Sequence, residues 1–289
     1  MSEVYVLWVR HCESCANTAF NISNKINLLQ RLKHKMSKEP LCSLKGYNQS
    51  IEMGKQIHDW YIREGKKRVG PKIKIYTSIL PRAMETGKLL SNSFRRYIRK
   101  IEPICYVSEI IKQYDLIFPK GSQSTTNYEK VICHINALNK IFKNYGSKIV
   151  YKKQGCVEED LCTHNFKQKC VKCKSKCCLC LQEGKCKLDY KCDYQNFKNN
   201  YLGKIIKPNT LNIIVSHGGY IMRNLNISSH PQNTQSYLVK YTKQDDKWMQ
   251  EVLDIDFIPK ELKEIKTPKN VDSKYLNCTY TYNKDIKCK

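Results

Sequence analysis

The fold is decided first by an apolar run near the start of the chain, Val4-Tyr5-Val6-Leu7-Trp8-Val9. This run is continuous, partly aromatic and rich in β-branched residues, which is typical of a buried strand. A polar stretch follows it directly, Arg10-His11-Cys12-Glu13-Ser14-Cys15-Ala16-Asn17. In an open parallel sheet, ligands bind at the carboxyl ends of strands. The junction after Val9 is therefore a candidate ligand site.

Strands and helices alternate beyond this first strand. We predict strands at 72–77, 104–107 and 211–216, a closing hairpin at 236–242 and 248–255, and helices at 43–64, from about 80, and over 128–145. Ser43 is predicted to cap the first helix and Gly65 to end it, and Pro81 suits the first turn of the second. The alternation predicts a three-layer α/β/α sandwich with a mostly parallel central sheet.

Two stretches interrupt the pattern. Residues 151–205 are dense in lysine and cysteine, and we interpret them as a Cys/Lys-rich insertion. Residues 261–289 are polar and show no periodicity, so we expect a tail that is partly disordered. The core domain is then discontinuous and comprises residues 1–150 and 206–260.

Composition limits the partners and the compartment. The formal net charge of +25 is open to two interpretations. It can indicate an anionic partner, or reflect a composition in which Lys, Asn, Ile and Tyr are abundant together; we favour the second. No apolar run approaches the length of a membrane span, and no signal-peptide pattern is present, so we expect a cytoplasmic, reducing location. There, the 16 cysteines favour metal binding or free thiols over disulfides.

The insertion contains two knuckle-like pairs, Cys170-x-x-Cys173 and Cys177-x-x-Cys180. Each pair offers two thiolates, and tetrahedral zinc takes four such ligands, so a structural zinc site is one hypothesis. Free or redox-active thiols and disulfides are the alternatives. The interleaved lysines could contact nucleic acid, but a solvated lysine-rich loop is the favoured interpretation.

Three strand-to-helix junctions together carry candidate chemistry. Arg10 and His11 follow the first strand, Arg82 follows the strand at 72–77, and His217 follows the strand at 211–216. Arginine forks match the oxygens of a phosphoryl group, and helix N-termini add N–H donors there. A neutral imidazole can attack phosphorus and carry the phosphoryl group covalently. We therefore expect His11 as the nucleophile, with no cofactor required because arginines supply the positive charge.

The chain resembles the histidine phosphatase superfamily, in the branch that includes cofactor-dependent phosphoglycerate mutases. The resemblance is carried by Arg10, His11, Glu13, Ser14 and Asn17, by the stretch Leu41 to Ser50 around Gly46 and Gln49, by Ser78, Leu80, Arg82, Ala83 and Thr86, and by Ser216-His217-Gly218-Gly219. Four motifs occur in the family's order over roughly 1–118 and 208–255. One departure is Cys12, where the family has glycine.

The resemblance implies a reaction and a set of roles. His11 would be phosphorylated, and the phosphoryl-binding side is predicted to comprise Arg10, Ser14, Asn17, Arg82, His217 and Gly218. Glu109 is assigned as the proton donor, with Asp115 as the fallback. The implied function is a phosphomonoesterase that acts on a small phosphorylated metabolite. The alternatives are phosphoglycerate mutase-type transfer and a catalytically silent module that binds a partner through the insertion.

Overall fold

The computed structural model of the chain describes residues 2–15, 17–18, 40–104, 106–107, 128–151, 190–262 and 264–278. Within these ranges the strands are β1 (Glu3–Arg10), β2 (Lys72–Thr77), β3 (Lys100–Pro103), β4 (Lys148–Ile149), β5 (Thr210–Ser216), β6 (Ser236–Gln244) and β7 (Lys247–Phe257). The α-helices are α1 (Leu44–Trp60), α2 (Lys66–Val69), α3 (Pro81–Leu90), α4 (Tyr128–Ile141), α5 (Tyr190–Asn200) and α6 (Gly218–Leu225). A π-helical turn, Tyr61–Gly65, joins α1 to α2.

The described strands form one sheet in the order β4-β3-β2-β5-β1-β6-β7. Strands β1 to β5 pair in parallel, whereas β6 pairs with β1 and β7 in antiparallel fashion. Strand β5 lies between β1 and β2, so the carboxyl ends of these three strands are neighbours. The prediction of a mostly parallel sheet is confirmed.

Helices cover both faces of the sheet. In β1, Leu7 and Val9 pack in one buried cluster with residues of α1, α3 and α4. Val4, Val6 and Trp8 belong to the opposite cluster, with residues of α5 and α6. Successive side chains of a strand point to opposite faces, so β1 contributes to both cores. The three-layer sandwich predicted from the sequence is the observed fold.

The second core is held by aromatic and polar contacts around Trp8. Its ring centroid lies 5.1 Å from that of Phe197 in α5. Its indole N–H donates to the hydroxyl of Tyr241 at 2.9 Å, and that oxygen lies 2.7 Å from the hydroxyl of Tyr194. Helix α5, which falls within the stretch interpreted as an insertion, thus packs on the sheet.

Two element boundaries differ from the prediction. Strand β3 lies at 100–103 and not at 104–107, because Ile101 and Pro103 pair with β2 and the backbone turns away at Tyr106, where φ is 61°. The first helix does not end at Gly65. That glycine packs against the ring of Trp60, and the helical path continues to Val69 before Gly70, with φ of 106°, ends it. Ser43 caps α1 as predicted, its side chain accepting from the Gly46 N–H.

Part of the predicted tail lies against the core. Val271 and Leu276 are buried in the first cluster, and the Leu276 carbonyl accepts from the Leu44 N–H at 2.9 Å. Residues 279–289 are outside the described ranges, so partial disorder there stays a prediction. No helix within the described ranges is long and apolar enough to cross a membrane.

Candidate active site

The sheet brings the predicted phosphoryl-binding residues to one place. Arg10 is the last residue of β1 and His11 follows it, His217 follows β5, and Arg82 lies in the first turn of α3 after β2. The ring centroids of His11 and His217 are 5.1 Å apart. His11, Arg82 and His217 are all buried, with 5%, 7% and 0% of their surface exposed. The prediction that three strand ends meet is confirmed.

The protonation of His11 follows from its contacts. Its Nδ1 lies 2.7 Å from the carbonyl oxygen of Cys12, which can only accept, so Nδ1 carries the proton. Its Nε2 therefore has the lone pair, which accepts from Nε–H of Arg82 at 3.3 Å. Nε2 is thus the ring nitrogen with the available lone pair, and it points at the guanidinium of Arg82.

His217 shows the complementary arrangement. Its Nδ1 lies 3.4 Å from Nη2 of Arg82, which can only donate, so Nδ1 is the acceptor. Its Nε2–H then donates to the hydroxyl of Ser78 at 2.9 Å. Arg82 therefore lies between the two imidazoles, and an oxygen-rich ligand can replace both nitrogens as the acceptor of its N–H groups.

Burial and charge keep both imidazoles neutral. Desolvation lowers the pKa of His11 well below its usual value, and the charges of Arg82 and Arg10 lower it further. The pKa of His217 is also well below its usual value, first because of burial and then because of Arg82. A neutral His11 keeps its lone pair near neutral pH, which nucleophilic attack requires.

A loop before β6 completes the site. Nη1 of Arg10 lies 3.2 Å from Nδ1 of His230 and donates to the carbonyl of Pro231. The side-chain amide of Asn233 donates to the carbonyls of His11 and Cys12, at 3.1 and 2.9 Å. The sequence did not single out His230 or Asn233, because nothing in their local pattern shows that this loop returns to the end of β1.

The remaining predicted residues have other placements. Ser14 and Asn17 contact each other, with both the Ser14 N–H and its hydroxyl donating to Asn17 Oδ1 at 3.0 and 2.9 Å. Their role toward substrate stays a prediction. Gly218 begins α6, where a β-carbon would lie 2.2 Å from Cε1 of His230. The proposed proton donors, Glu109 and Asp115, lie outside the described residues.

Cysteines near the site differ from the expectation of free thiols or metal ligands. Cys12 is bonded to Cys42, and Cys15 to Cys278. Cys12 has a negative φ, so it stands at the family's glycine position without a left-handed backbone. The predicted zinc ligands Cys170, Cys173, Cys177 and Cys180 lie outside the described ranges. Within those ranges, no three His, Cys, Asp or Glu side chains are grouped to hold a metal ion.

Among the solved structures that are similar to the chain are two mycobacterial proteins. One, described as mycobacterial hydrolase 2, is 10% identical with a TM-score of 0.41, covering 91% of this chain and 94% of that one. The other, a mycobacterial glucosyl-3-phosphoglycerate phosphatase in complex with VO3, is 12% identical with a TM-score of 0.38, covering 87% and 98%. No family model and no curated protein matches the sequence. The functional conclusion therefore rests on the chain's own site.

That site is a pair of neutral, buried imidazoles joined by one guanidinium at the carboxyl ends of parallel strands. His11, Arg82 and His217 are among the residues that carry the resemblance to the histidine phosphatase superfamily.

Proposed function

We propose that the chain is a phosphomonoesterase that acts through a phosphohistidine intermediate on a small phosphorylated metabolite. The observation that carries this proposal is the buried Nε2 lone pair of His11, 3.3 Å from Nε of Arg82. A nucleophile and a phosphate-binding fork are thus already adjacent before substrate arrives. Such preorganisation is the main protein contribution to phosphoryl transfer.

The reaction divides between the two imidazoles and the arginines. The phosphoryl oxygens accept hydrogen bonds from the Arg82 N–H groups that now donate to the two imidazoles. Arg10 adds a second positive charge. Nε2 of His11 attacks phosphorus, the ester P–O bond breaks, and the leaving oxygen takes a proton from the predicted donor Glu109. Water then gives a proton to the Glu109 carboxylate and attacks phosphorus, the P–N bond breaks, and inorganic phosphate leaves.

The test is hydrolysis of an aryl phosphate with EDTA present, because the arginines and not a metal supply the positive charge. We expect turnover by the wild type and loss of at least about 10³-fold in kcat for His11→Gln, the scale of a lost nucleophile. His58→Gln, a partly exposed histidine on α1, is the matched control. A phosphate label that is acid-labile, and that is found on the wild type but not on His11→Gln, would identify phosphohistidine. If wild type and His11→Gln were equally inert on a panel of phosphate esters, the chain would be a silent module.

Phosphoglycerate mutase-type transfer is the alternative fate of the same intermediate. In that case the phosphoryl group passes from His11 to a substrate hydroxyl, and little inorganic phosphate is released. Labelled enzyme incubated with and without a phosphoglycerate distinguishes the two, since hydrolysis releases phosphate in both samples.

We also propose that the Cys/Lys-rich insertion holds a structural zinc ion on its two C-x-x-C pairs. Metal analysis of protein purified under reducing conditions should find zinc in the wild type. Serine at residues 170, 173, 177 and 180 should remove it, and wild-type protein without zinc would contradict the proposal.

A further inference from the structure

The residue next to the nucleophile is covalently bound to the start of the first helix. Cys12 forms a disulfide with Cys42, which lies two residues before α1. Both cysteines have 0% of their surface exposed. The proposed reaction does not use this bond, yet the bond fixes the peptide unit that orients His11.

The backbone of Cys12 holds the imidazole in its reactive tautomer. Its carbonyl accepts the Nδ1–H of His11 at 2.7 Å, which leaves the lone pair on Nε2. Its N–H donates to Thr86 Oγ1 at 2.9 Å, and that hydroxyl donates to the Arg82 carbonyl at 2.7 Å. A displacement of Cys12 therefore reaches both the nucleophile and the turn that carries Arg82.

The sulfurs are packed against the same turn of α3. Cys12 Sγ lies 3.9 Å from the Arg82 carbonyl oxygen, and Cys42 Sγ lies 3.8 Å from the Thr86 hydroxyl. Bonded sulfurs are about 2 Å apart, whereas non-bonded atoms of this size need roughly 3.5–4 Å. In a close-packed interior this separation requires one sulfur to rotate away or the backbone of Cys12 or Cys42 to shift, and either movement changes the contacts with Arg82 and Thr86.

We propose that the Cys12–Cys42 disulfide is a redox-sensitive positioning element for His11, and that its reduction misaligns the nucleophile and lowers turnover. The inference rests on the proposed function. A reducing compartment, which the sequence predicts, would keep this bond open unless an oxidant forms it. The bond then links the activity of the site to the thiol–disulfide balance around the protein.

A second disulfide lies beside the first, with Cys15 Sγ 4.0 Å from the Cys42 carbonyl oxygen. Cys15 and Cys278 are bonded, and Cys278 is partly exposed. The segment that ends there lies over α1, with the Leu276 carbonyl accepting from Leu44 N–H at 2.9 Å. The outer bond holds this segment against the residues that follow Cys42. We therefore expect the outer disulfide to open before the inner one.

Each reduction consumes one equivalent of a dithiol. The first thiolate of the dithiol attacks one sulfur, the protein S–S bond breaks, and the departing cysteine thiolate takes a proton. The second thiolate of the dithiol then attacks its own sulfur in the mixed disulfide and releases the other cysteine as a thiolate, which takes a proton. The dithiol is thereby oxidised to a cyclic disulfide, and the protein gains two thiols.

The test is stepwise reduction of the protein by dithiothreitol. At each step, thiol labelling is followed by mass spectrometry and steady-state kinetics are measured on an aryl phosphate. Labelling of Cys15 and Cys278 should leave kcat unchanged. Labelling of Cys12 and Cys42 should lower kcat at least about ten-fold with KM within about three-fold, as expected for a misplaced reactive group. Reoxidation should restore kcat. Unchanged kcat with Cys12 and Cys42 fully labelled would overturn the inference.

Two variants separate the bonds. Cys42→Ser should have the low kcat of the reduced protein and no response to dithiothreitol. The double variant Cys15→Ser/Cys278→Ser should keep the oxidised wild-type kcat, and should lose activity at lower dithiothreitol concentrations than the wild type.

An NMR measurement tests the effect of reduction on His11 without an activity assay. The imidazole C2–H signal of His11, assigned by its absence in His11→Gln, should shift on reduction of Cys12–Cys42, while that of His58 stays in place. If the oxidised wild type hydrolysed no phosphate ester but His11 responded to reduction, only the proposed function would fail. If hydrolysis occurred and the His11 signal did not move, only the redox inference would fail.

Discussion

Ser78 is the residue that fixes the orientation of the second imidazole. It is fully buried, and its hydroxyl accepts from His217 Nε2–H at 2.9 Å and from the Leu80 N–H at 3.2 Å. Without that hydroxyl the proton of His217 has no fixed position. A proton on Nδ1 would face Arg82, which has only donors. Ser78 is part of the motif that suggested the family, and the structure gives it this role.

Ser78→Ala should therefore lower kcat by about ten-fold, which corresponds to ~1.4 kcal/mol, the contribution of one buried hydrogen bond. Ser78→Thr keeps the hydroxyl and serves as the matched control, with a kcat close to that of the wild type. Steady-state kinetics on an aryl phosphate measures both, and equal rates for all three proteins would contradict this role.

Glu85 is a buried carboxyl group behind the site. It has 0% of its surface exposed, and its Oε2 accepts from the Cys42 N–H at 2.8 Å. Burial raises the pKa of Glu85 to about 8. At pH values between the two pKa values, the Glu85 side chain is protonated in the folded protein but ionised in the unfolded chain, where the pKa of a glutamate is about 4.3.

The contribution of Glu85 to the free energy of unfolding should consequently fall as pH rises from about 4.5 to about 8, and should stay level above that. One proton is involved, so the slope from this group is at most about 1.4 kcal/mol per pH unit. Glu85→Gln should remove this pH dependence. The free energy of unfolding of the variant should therefore increase relative to that of the wild type as pH rises. Urea unfolding from pH 5 to 9 measures it, with Glu52→Gln on α1 as the partly exposed control. Parallel pH profiles for wild type and Glu85→Gln would contradict the assignment.

At the scale of elements, strands β1, β2 and β5 are predicted to within one residue at each end. The apolar run of β1 is continuous and that of β5 is nearly so, because helices cover both faces of these strands, and such runs are visible in the sequence. In β2 the continuous buried run follows two exposed lysines, Lys72 and Lys74. Strand β3 is different. Its residues alternate in burial, and its position depends on pairing with β2, where Ile101 lies opposite Ile75. No local sequence pattern marks the pairing between strands. The strand was therefore predicted at the apolar residues 104–107.

Helix α1 approaches the site loop through Gly46. A β-carbon there would lie 2.1 Å from the carbonyl oxygen of Glu13. That loop is further held by the Ser43 hydroxyl, which donates to Glu13 Oε1 at 2.9 Å, and by Ser43 N–H, which donates to the Glu13 carbonyl at 2.8 Å. The glycine is therefore required by the close approach of two backbones.

Gly46→Ala should lower the free energy of unfolding by about 1–3 kcal/mol, the usual result of overpacking, although alanine ordinarily favours a helix. Lys55→Ala, at an exposed position of the same helix, should change it by less than about 0.5 kcal/mol. Urea denaturation of both variants measures this. A stability gain in Gly46→Ala would show that the loop is free to move.

At the scale of the whole molecule, the Cys15–Cys278 disulfide joins positions 263 residues apart. It fastens the described end of the chain beside the first strand, over a hydrophobic contact that includes Val271 and Leu276. A cross-link over so long a loop mainly restricts the unfolded chain. The segment predicted as a tail thus contributes to the stability of the core.

Cys15→Ser/Cys278→Ser should lower the free energy of unfolding by about 2–4 kcal/mol under non-reducing conditions. Comparison in denaturant with the wild type gives the value, and the difference should vanish once dithiothreitol has reduced the disulfides of both proteins. Equal stability without reductant, with the bond verified in the wild type by mass spectrometry, would contradict the prediction.

The sequence by itself determined the α/β/α class and the meeting of Arg10, His11, Arg82 and His217. Buried strands and the residues at their ends are visible in the local sequence, and parallel pairing brings those ends together. Only the tertiary structure decided which nitrogen of His11 carries the lone pair, that Ser78 and Asn233 support the site, and that Cys12 is bonded to Cys42. Those facts depend on contacts between distant segments, and local sequence patterns do not encode distance in space.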